Sequence, residues 1–154
     1  MANDRKAQLH PGQMMPDFEL RSSTGQSLRL SDFRNRNNLV LIFPEAAQRD
    51  HLPDYLAELE DKQSDFKDES TRVLLILPPG DQPFANEMVY SDPVGSAYPA
   101  VSAADYLLKP GSVAIVVDRF GEIDAIFRQE PGEALPPGDV LLEEVRFIEL
   151  QCPE

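Results

Sequence analysis

Leu39-Val40-Leu41-Ile42-Phe43 is an unbroken apolar run of strand length. Such a run predicts a central strand covered on both faces, because neither set of alternating side chains is polar. Val73–Leu77 repeats the pattern, and Pro78, Pro79 and Gly80 stop it. Between the two runs, Leu52, Tyr55, Leu56, Leu59 and Phe66 fall near a 3.6-residue period with charged residues between them, which predicts an amphipathic helix. Asp50 is the expected N-cap, and Pro53 is tolerated in the first turn, where its missing N–H would have no helical partner. Val113–Val117 and Ile123–Phe127 read as two more strands joined by a turn at Asp118-Arg-Phe-Gly121, and a last helix from near Asp139 would bury Leu141, Leu142, Val145 and Ile148. Ahead of all these, Asp17–Leu20 and Ser27–Leu30 flank Ser23-Thr24-Gly25, a hairpin signal with Gly25 free to take positive φ. Gly80–Glu87 reads as an exposed loop.

The order hairpin, β, α, β, short helix, β, β, α contains one βαβ unit followed by an antiparallel pair and a closing helix. It predicts an α/β fold with a mixed central sheet, helices on both faces and an N-terminal β-hairpin. Residues 1–12 read as a polar, loose lead-in and residues 13–152 as one domain. No repeat or low-complexity stretch interrupts them.

Composition narrows the partners. Lys and Arg number 14 against 27 Asp and Glu, a formal charge of -13. A surface of that sign repels phosphate backbones and anionic headgroups, so nucleic acid and membrane surfaces are expected to be poor partners, and a basic patch on another protein a better one. The opening MANDRKAQLHPGQMM lacks the apolar run of a secretory signal, and no stretch approaches the roughly 18 apolar residues of a membrane span. The cytoplasm is the expected compartment. Cys152 is the one cysteine, which rules out an intramolecular disulfide and zinc sites built on paired cysteines. No cofactor is expected, and the ligand or partner is left unnamed.

Several segments in order carry a family likeness. They are Met15-Pro-Asp-Phe-Glu-Leu20, Gly25, Leu28-Arg-Leu-Ser-Asp-Phe33, Val40-Leu-Ile-Phe43 with Pro44, Ser91-Asp-Pro93 with Tyr98, Val116-Val-Asp118 and Phe120-Gly-Glu-Ile123. Together they resemble the peroxiredoxin (alkyl hydroperoxide reductase/thiol-specific antioxidant) family over about residues 11 to 150. The resemblance implies a thioredoxin-like fold and a peroxidatic cysteine in the first turn of the helix after the central strand, where free N–H groups and the helix dipole stabilise a thiolate. The family writes that site as Pro-x-x-x-Thr-x-x-Cys. Aligned without gaps, Pro44 matches the proline, Gln48 takes the threonine position and His51 the cysteine position. The Cys-x-x-Cys pattern of thioredoxins likewise falls on Gln48 and His51. The family's arginine, about six residues before Asp118, falls on Ser112; Lys109 and Pro110 are nearby but off the spacing.

The resemblance therefore implies a degenerate, non-catalytic module that binds or interacts. The alternative is an antioxidant or thiol oxidoreductase working through Cys152, in a homodimer, or through a partner's thiol. Other candidates carry bland explanations. His51 is read as a helix-start residue, and His51, Asp54 and Glu58 resemble a metal-ligand face, but two acids on an acidic helix arise readily by chance, so no metal is expected. His10 lies in the lead-in. Cys152 extends the stripe Leu141, Val145, Ile148 or stands in a frayed tail before Pro153.

Overall fold

The computed structural model describes residues 9–77, 86–92, 111–130 and 132–151. Along the chain it has strands β1 (Glu19–Ser22), β2 (Ser27–Arg29) and β3 (Asn38–Phe43), helices α1 (Leu52–Asp61) and α2 (Gln63–Asp68), strands β4 (Thr71–Leu77), β5 (Val89–Ser91), β6 (Val113–Val117) and β7 (Ile123–Arg128), and helix α3 (Gly138–Gln151). The seven strands form one sheet in the order β2-β1-β5-β4-β3-β6-β7. β3 runs parallel to β4 and antiparallel to β6, and β6 and β7 form the antiparallel pair expected from the sequence.

The apolar runs divide by parity. Val40 and Ile42, Val73, Leu75 and Leu77, and Ala114 and Val116 face one core layer with Leu52, Tyr55, Leu56, Leu59, Phe66 and the apolar face of α3. Leu39, Leu41 and Phe43, Leu74 and Ile76, and Val113, Ile115 and Val117 face the other, with Leu9, Met15, Phe18, Leu30 and Phe33. A strand sandwiched this way has no polar position to offer, which is why its sequence does not alternate. Among the described residues all three α-helices lie in the first layer. The second layer is closed by the N-terminal segment and a 3-10 turn at Leu30–Phe33.

Several boundaries differ from the sequence reading. β1 starts at Glu19, not Asp17, because the Asp17 carboxylate accepts hydrogen bonds from Arg29 Nε at 3.0 Å and Ser31 N–H at 2.9 Å and so tethers the 3-10 turn. Leu30 belongs to that turn and not to β2. The helix expected through residues 52–66 breaks at Lys62 into α1 and α2. Asp50 is not its N-cap: residues 46–51 wind into a 3-10 turn, His51 takes the cap position of α1, and no side chain caps it. β5 was not foreseen; Met88 and Val89, just beyond the segment read as a loop, are buried, and β5 joins β1 to β4. The remainder of that loop, the short helix after Ser91-Asp-Pro93, and Tyr98 lie outside the described residues. Leu9 to Met15, the first part of which was read as lead-in, dock on the β6–β7 turn: Leu9 is buried, Gly12 N–H donates to Ile123 O and Met15 N–H to Gly121 O, each at 2.8 Å.

At the end of the sheet where β3 begins, a polar cluster joins four elements. Asn38 is fully buried, and its Nδ2 donates to Glu149 Oε2 of α3 at 2.6 Å and to Glu69 O at 3.1 Å. Arg119, in the β6–β7 turn, pairs with the same Glu149 oxygen. Burial pulls the Glu149 carboxyl upward, but the hydrogen bonds from Asn38 and Arg119 outweigh it and hold the group below the ordinary glutamate value.

Candidate functional site

The opposite end of β3 leads to the expected site. After Phe43 the chain passes buried Pro44, turns at Glu45 and enters the 3-10 turn Ala46–His51. The backbone is anchored there by Ser112, which stands at the mouth of β6: its buried hydroxyl accepts the Glu45 N–H at 3.0 Å. The adjoining residue has to be glycine. A Cβ on Gly111 would lie 2.1 Å from the Gln129 carbonyl oxygen, far inside contact distance. Ser112, which the resemblance aligns with the family's arginine, hydrogen-bonds to protein backbone.

Gln48 and His51 part company. Gln48, which the resemblance aligns with the family's threonine, is 5% exposed, and its Nε2 donates to Glu133 O at 3.0 Å. His51, which the resemblance aligns with the family's cysteine, is exposed. The 3-10 turn alters what lies beneath it, since the Leu52 N–H already bonds to Arg49 O. A helix end whose first donors are occupied exerts less pull on an anion than a free one. Cys152, Lys109 and Pro110 lie outside the described residues.

Gln48 is one of four side chains that hold the segment 132–138 across this end of the sheet. Glu45 Oε2 accepts the Gly132 N–H at 2.8 Å, Tyr55 Oη donates to Pro136 O at 2.6 Å, and Glu58 Oε2 accepts the Gly138 N–H at 2.7 Å. The segment is irregular and contains Pro136 and Pro137, so its backbone has no ladder of its own and must be satisfied from outside. Burial, with a smaller push from the Glu58 charge, raises the Tyr55 hydroxyl far above the ordinary phenol value, so it stays a donor. The sequence reading treated Tyr55 only as core and Glu58 only as a weak ligand candidate, and Glu45 was not singled out for any contact of this kind. Pro136-Pro137-Gly138 is the signal that such partners are needed.

Between this strap and α1 lies an open groove of about 450 Å³, lined by Gln48, His51, Asp54, Tyr55 and Glu58 on one side and by Gly132, Ala134, Leu135 and Pro137 on the other. His51, Asp54 and Glu58 do share its wall. Glu58 is engaged with the Gly138 N–H, and among the described residues no three His, Cys, Asp or Glu side chains come together as a metal-binding group. The groove can offer a carboxylate rim, an imidazole and an aromatic and aliphatic floor. Among its described residues it has no thiol.

A central βαβ unit, an antiparallel β6–β7 pair and a closing helix, with the site at the C-terminal end of β3, define a thioredoxin-like domain. The AhpC/TSA family profile matches residues 11–124, and the chain belongs to that family. Its structure is similar to reduced 2-Cys peroxiredoxin of Plasmodium vivax (14% identity, 93% of this chain and 83% of that one, TM-score 0.69). It is also similar to peroxidoxin BcpB of Mycobacterium tuberculosis (18%, 91% and 98%, TM-score 0.67) and to the exposed lipoprotein thioredoxin of Streptococcus pneumoniae (21%, 86% and 99%, TM-score 0.57). At these identities the likeness shows the fold. No curated protein matches the chain in sequence. Among the described residues, no helix is long and apolar enough to cross a membrane.

Proposed function

We propose that this AhpC/TSA-family chain is a non-catalytic module that uses the groove beside the former active site to bind a ligand or a partner protein. One observation carries the reading. Gln48 hydrogen-bonds to the strap and His51 stands at the peroxidatic position, so the place where the family acts on peroxide has neither nucleophile nor hydroxyl. Peroxide reduction needs a thiolate to attack oxygen and donors to stabilise the developing charge; Ser112, in place of the arginine, already accepts a backbone N–H. The rim formed by Asp54 and Glu58 on a chain of formal charge -13 suits a cationic group on the ligand or partner. The cytoplasm is the compartment in which a single unpaired cysteine is most at home.

Peroxide consumption with a thiol reductant tests the reading, run on the whole chain beside Cys152→Ser. Turnover no faster than the reductant alone supports it. Rapid turnover that vanishes in Cys152→Ser overturns it in favour of a thiol oxidoreductase acting through Cys152.

A further inference from the structure

Strand β4 begins before its neighbour β5 does. The β4–β5 register starts with Leu75 opposite Val89, so among the described residues no strand flanks Thr71 to Leu74 on that side. In a parallel sheet the N–H and C=O of one residue address the same neighbour, and successive residues alternate between neighbours. Ser70 O accepts the Asn38 N–H, so the even-numbered residues of β4 address β3. Leu75 N–H donates to Met88 O and Leu77 O accepts the Asp92 N–H, so the odd-numbered ones address β5. Val73 therefore turns both of its backbone groups to the flank that β5 has not reached. A longer ladder would pair them with Asn86 O and Met88 N–H. Those two are taken locally: Asn86 O accepts the Val89 N–H at 3.1 Å, and Met88 N–H donates to Asn86 Oδ1 at 2.7 Å. No described residue pairs with the Val73 N–H or C=O on that side, although Val73 is 7% exposed. Two such groups on one buried residue call for a partner.

The open flank is a cavity. About 220 Å³ lies between β4, α2 and the turn before β5, and it shares no lining residue with the groove beside His51. Its apolar part is made by Phe66 and Met88, both buried. Its side-chain charges of opposite sign stand towards opposite ends. Lys67, exposed, lies where β4 begins, its carbonyl accepting the Ser70 N–H at 2.9 Å. Glu87, also exposed, lies where β5 begins, and Gln63 Nε2 donates to one of its two carboxylate oxygens at 2.8 Å. The backbone has the same order, since the Val73 N–H is on the Thr71 side and its C=O on the Leu74 side. Positive side chain and N–H thus come together at one end, and negative side chain and C=O at the other.

We propose that this cavity binds a free α-amino acid with an apolar side chain. The ligand's ammonium donates to Val73 O and to Glu87, its carboxylate accepts the Val73 N–H and lies toward Lys67, and its side chain packs on Phe66 and Met88. It faces Val73 as one residue of an antiparallel strand faces its partner, exchanging both bonds. Both of its ends have to be charged, because the strong bonds here are those with an ionised partner on each side. The volume sets the size: it falls below the roughly 300–1,000 Å³ of pockets for larger ligands, so a single amino acid fits and a longer peptide does not. The site is independent of the groove, and either can fail without the other.

Isothermal titration of the whole chain with L-leucine tests the site, beside N-acetyl-L-leucine, which lacks the ammonium, and L-leucinamide, which lacks the carboxylate. L-leucine should bind, and each analogue should bind about tenfold more weakly or worse, as expected for the loss of one charged hydrogen bond. Glu87→Gln and Lys67→Met alter exposed side chains and leave the core untouched. Each should weaken L-leucine about threefold to tenfold, the lower figure allowing for solvent screening. Hydrogen exchange reads the backbone contact directly: saturating L-leucine should slow the Val73 amide about tenfold or more. No binding of L-leucine at about 10 mM, binding that both variants leave unchanged, or a Val73 amide that exchanges as fast with the ligand as without it overturns the proposal. Analogues that bind as tightly as L-leucine overturn it too, because the cavity then takes an apolar side chain and not a zwitterion.

Discussion

The two ends of strand β3 are both closed by buried polar side chains, yet they are built on different principles. At the Asn38 end a charged pair, Arg119–Glu149, is joined by an amide, and one glutamate oxygen receives two donors. At the Phe43 end Ser112, Gln48 and Tyr55 each make a neutral bond to backbone, while Glu45 and Glu58 accept single N–H groups. Removing one member of the first cluster strands a charge or an amide among buried neighbours. Removing one member of the second leaves a single backbone group unpaired. Polarity at the Phe43 end is thus distributed and holds a loop in place, whereas at the Asn38 end it is concentrated and holds a helix.

The largest expected effect comes from breaking the concentrated end. Glu149→Ala should lower unfolding stability by about 2 kcal/mol, read from urea denaturation, because Asn38 and Arg119 both lose their shared acceptor. The same residue sets a pH signature. Its folded value is lowered, so its contribution is present above about 4.5 and disappears as pH falls through the folded value. The urea midpoint of the wild type should drop on acidification below that point, and Glu149→Gln should flatten part of the drop.

At the distributed end, Tyr55→Phe should cost about 1–2 kcal/mol by leaving Pro136 O without its donor. Gln48→Ala should cost about 1 kcal/mol. If either equals Glu149→Ala in effect, the contrast between the ends fails. The smallest effect is chemical. In the double variant Gln48→Thr/His51→Cys, absorbance titration should find a thiol within about one unit of a free cysteine. The 3-10 turn has already engaged the Leu52 N–H, and Asp50 and Asp54 lie close in sequence. A strongly acidified thiol would show that the helix end keeps its pull despite the turn.

The sheet was legible because its central strands carry no ambiguity: five consecutive apolar residues at 39–43, 73–77 and 113–117 admit burial on both faces and little else. β5 was not legible, since a three-residue strand has no period to read and takes its order from β1 and β4 on either side. The spacing from Pro44 singles out Gln48 and His51 in the sequence, but not what the residues at this end of the sheet touch. Gln48 meets Glu133 across 85 residues of sequence and Ser112 meets Glu45 across 67, and contacts at such separations leave no local pattern. The 3-10 turn that displaced Asp50 from the cap was hidden for the opposite reason, because Asp50 and Pro53 make a sound local signal for a helix start that the preceding turn overrides.

The strand order has a consequence for the chain as it is made. β3 and β4 can pair once α1 and α2 are complete, but the other side of β3 belongs to β6, which begins about 36 residues after β4 ends. At translation speeds of about 5–20 residues per second, the flank of β3 that carries Leu39–Phe43 waits roughly 2–7 s for its partner. Throughout that interval the nascent chain presents an unpaired row of N–H and C=O groups flanked by apolar side chains, a template for pairing with any other emerging strand. Crowded polysomes and fast codons over residues 78–112 therefore act on the yield of this protein in opposite directions, the first by supplying wrong partners and the second by shortening the wait.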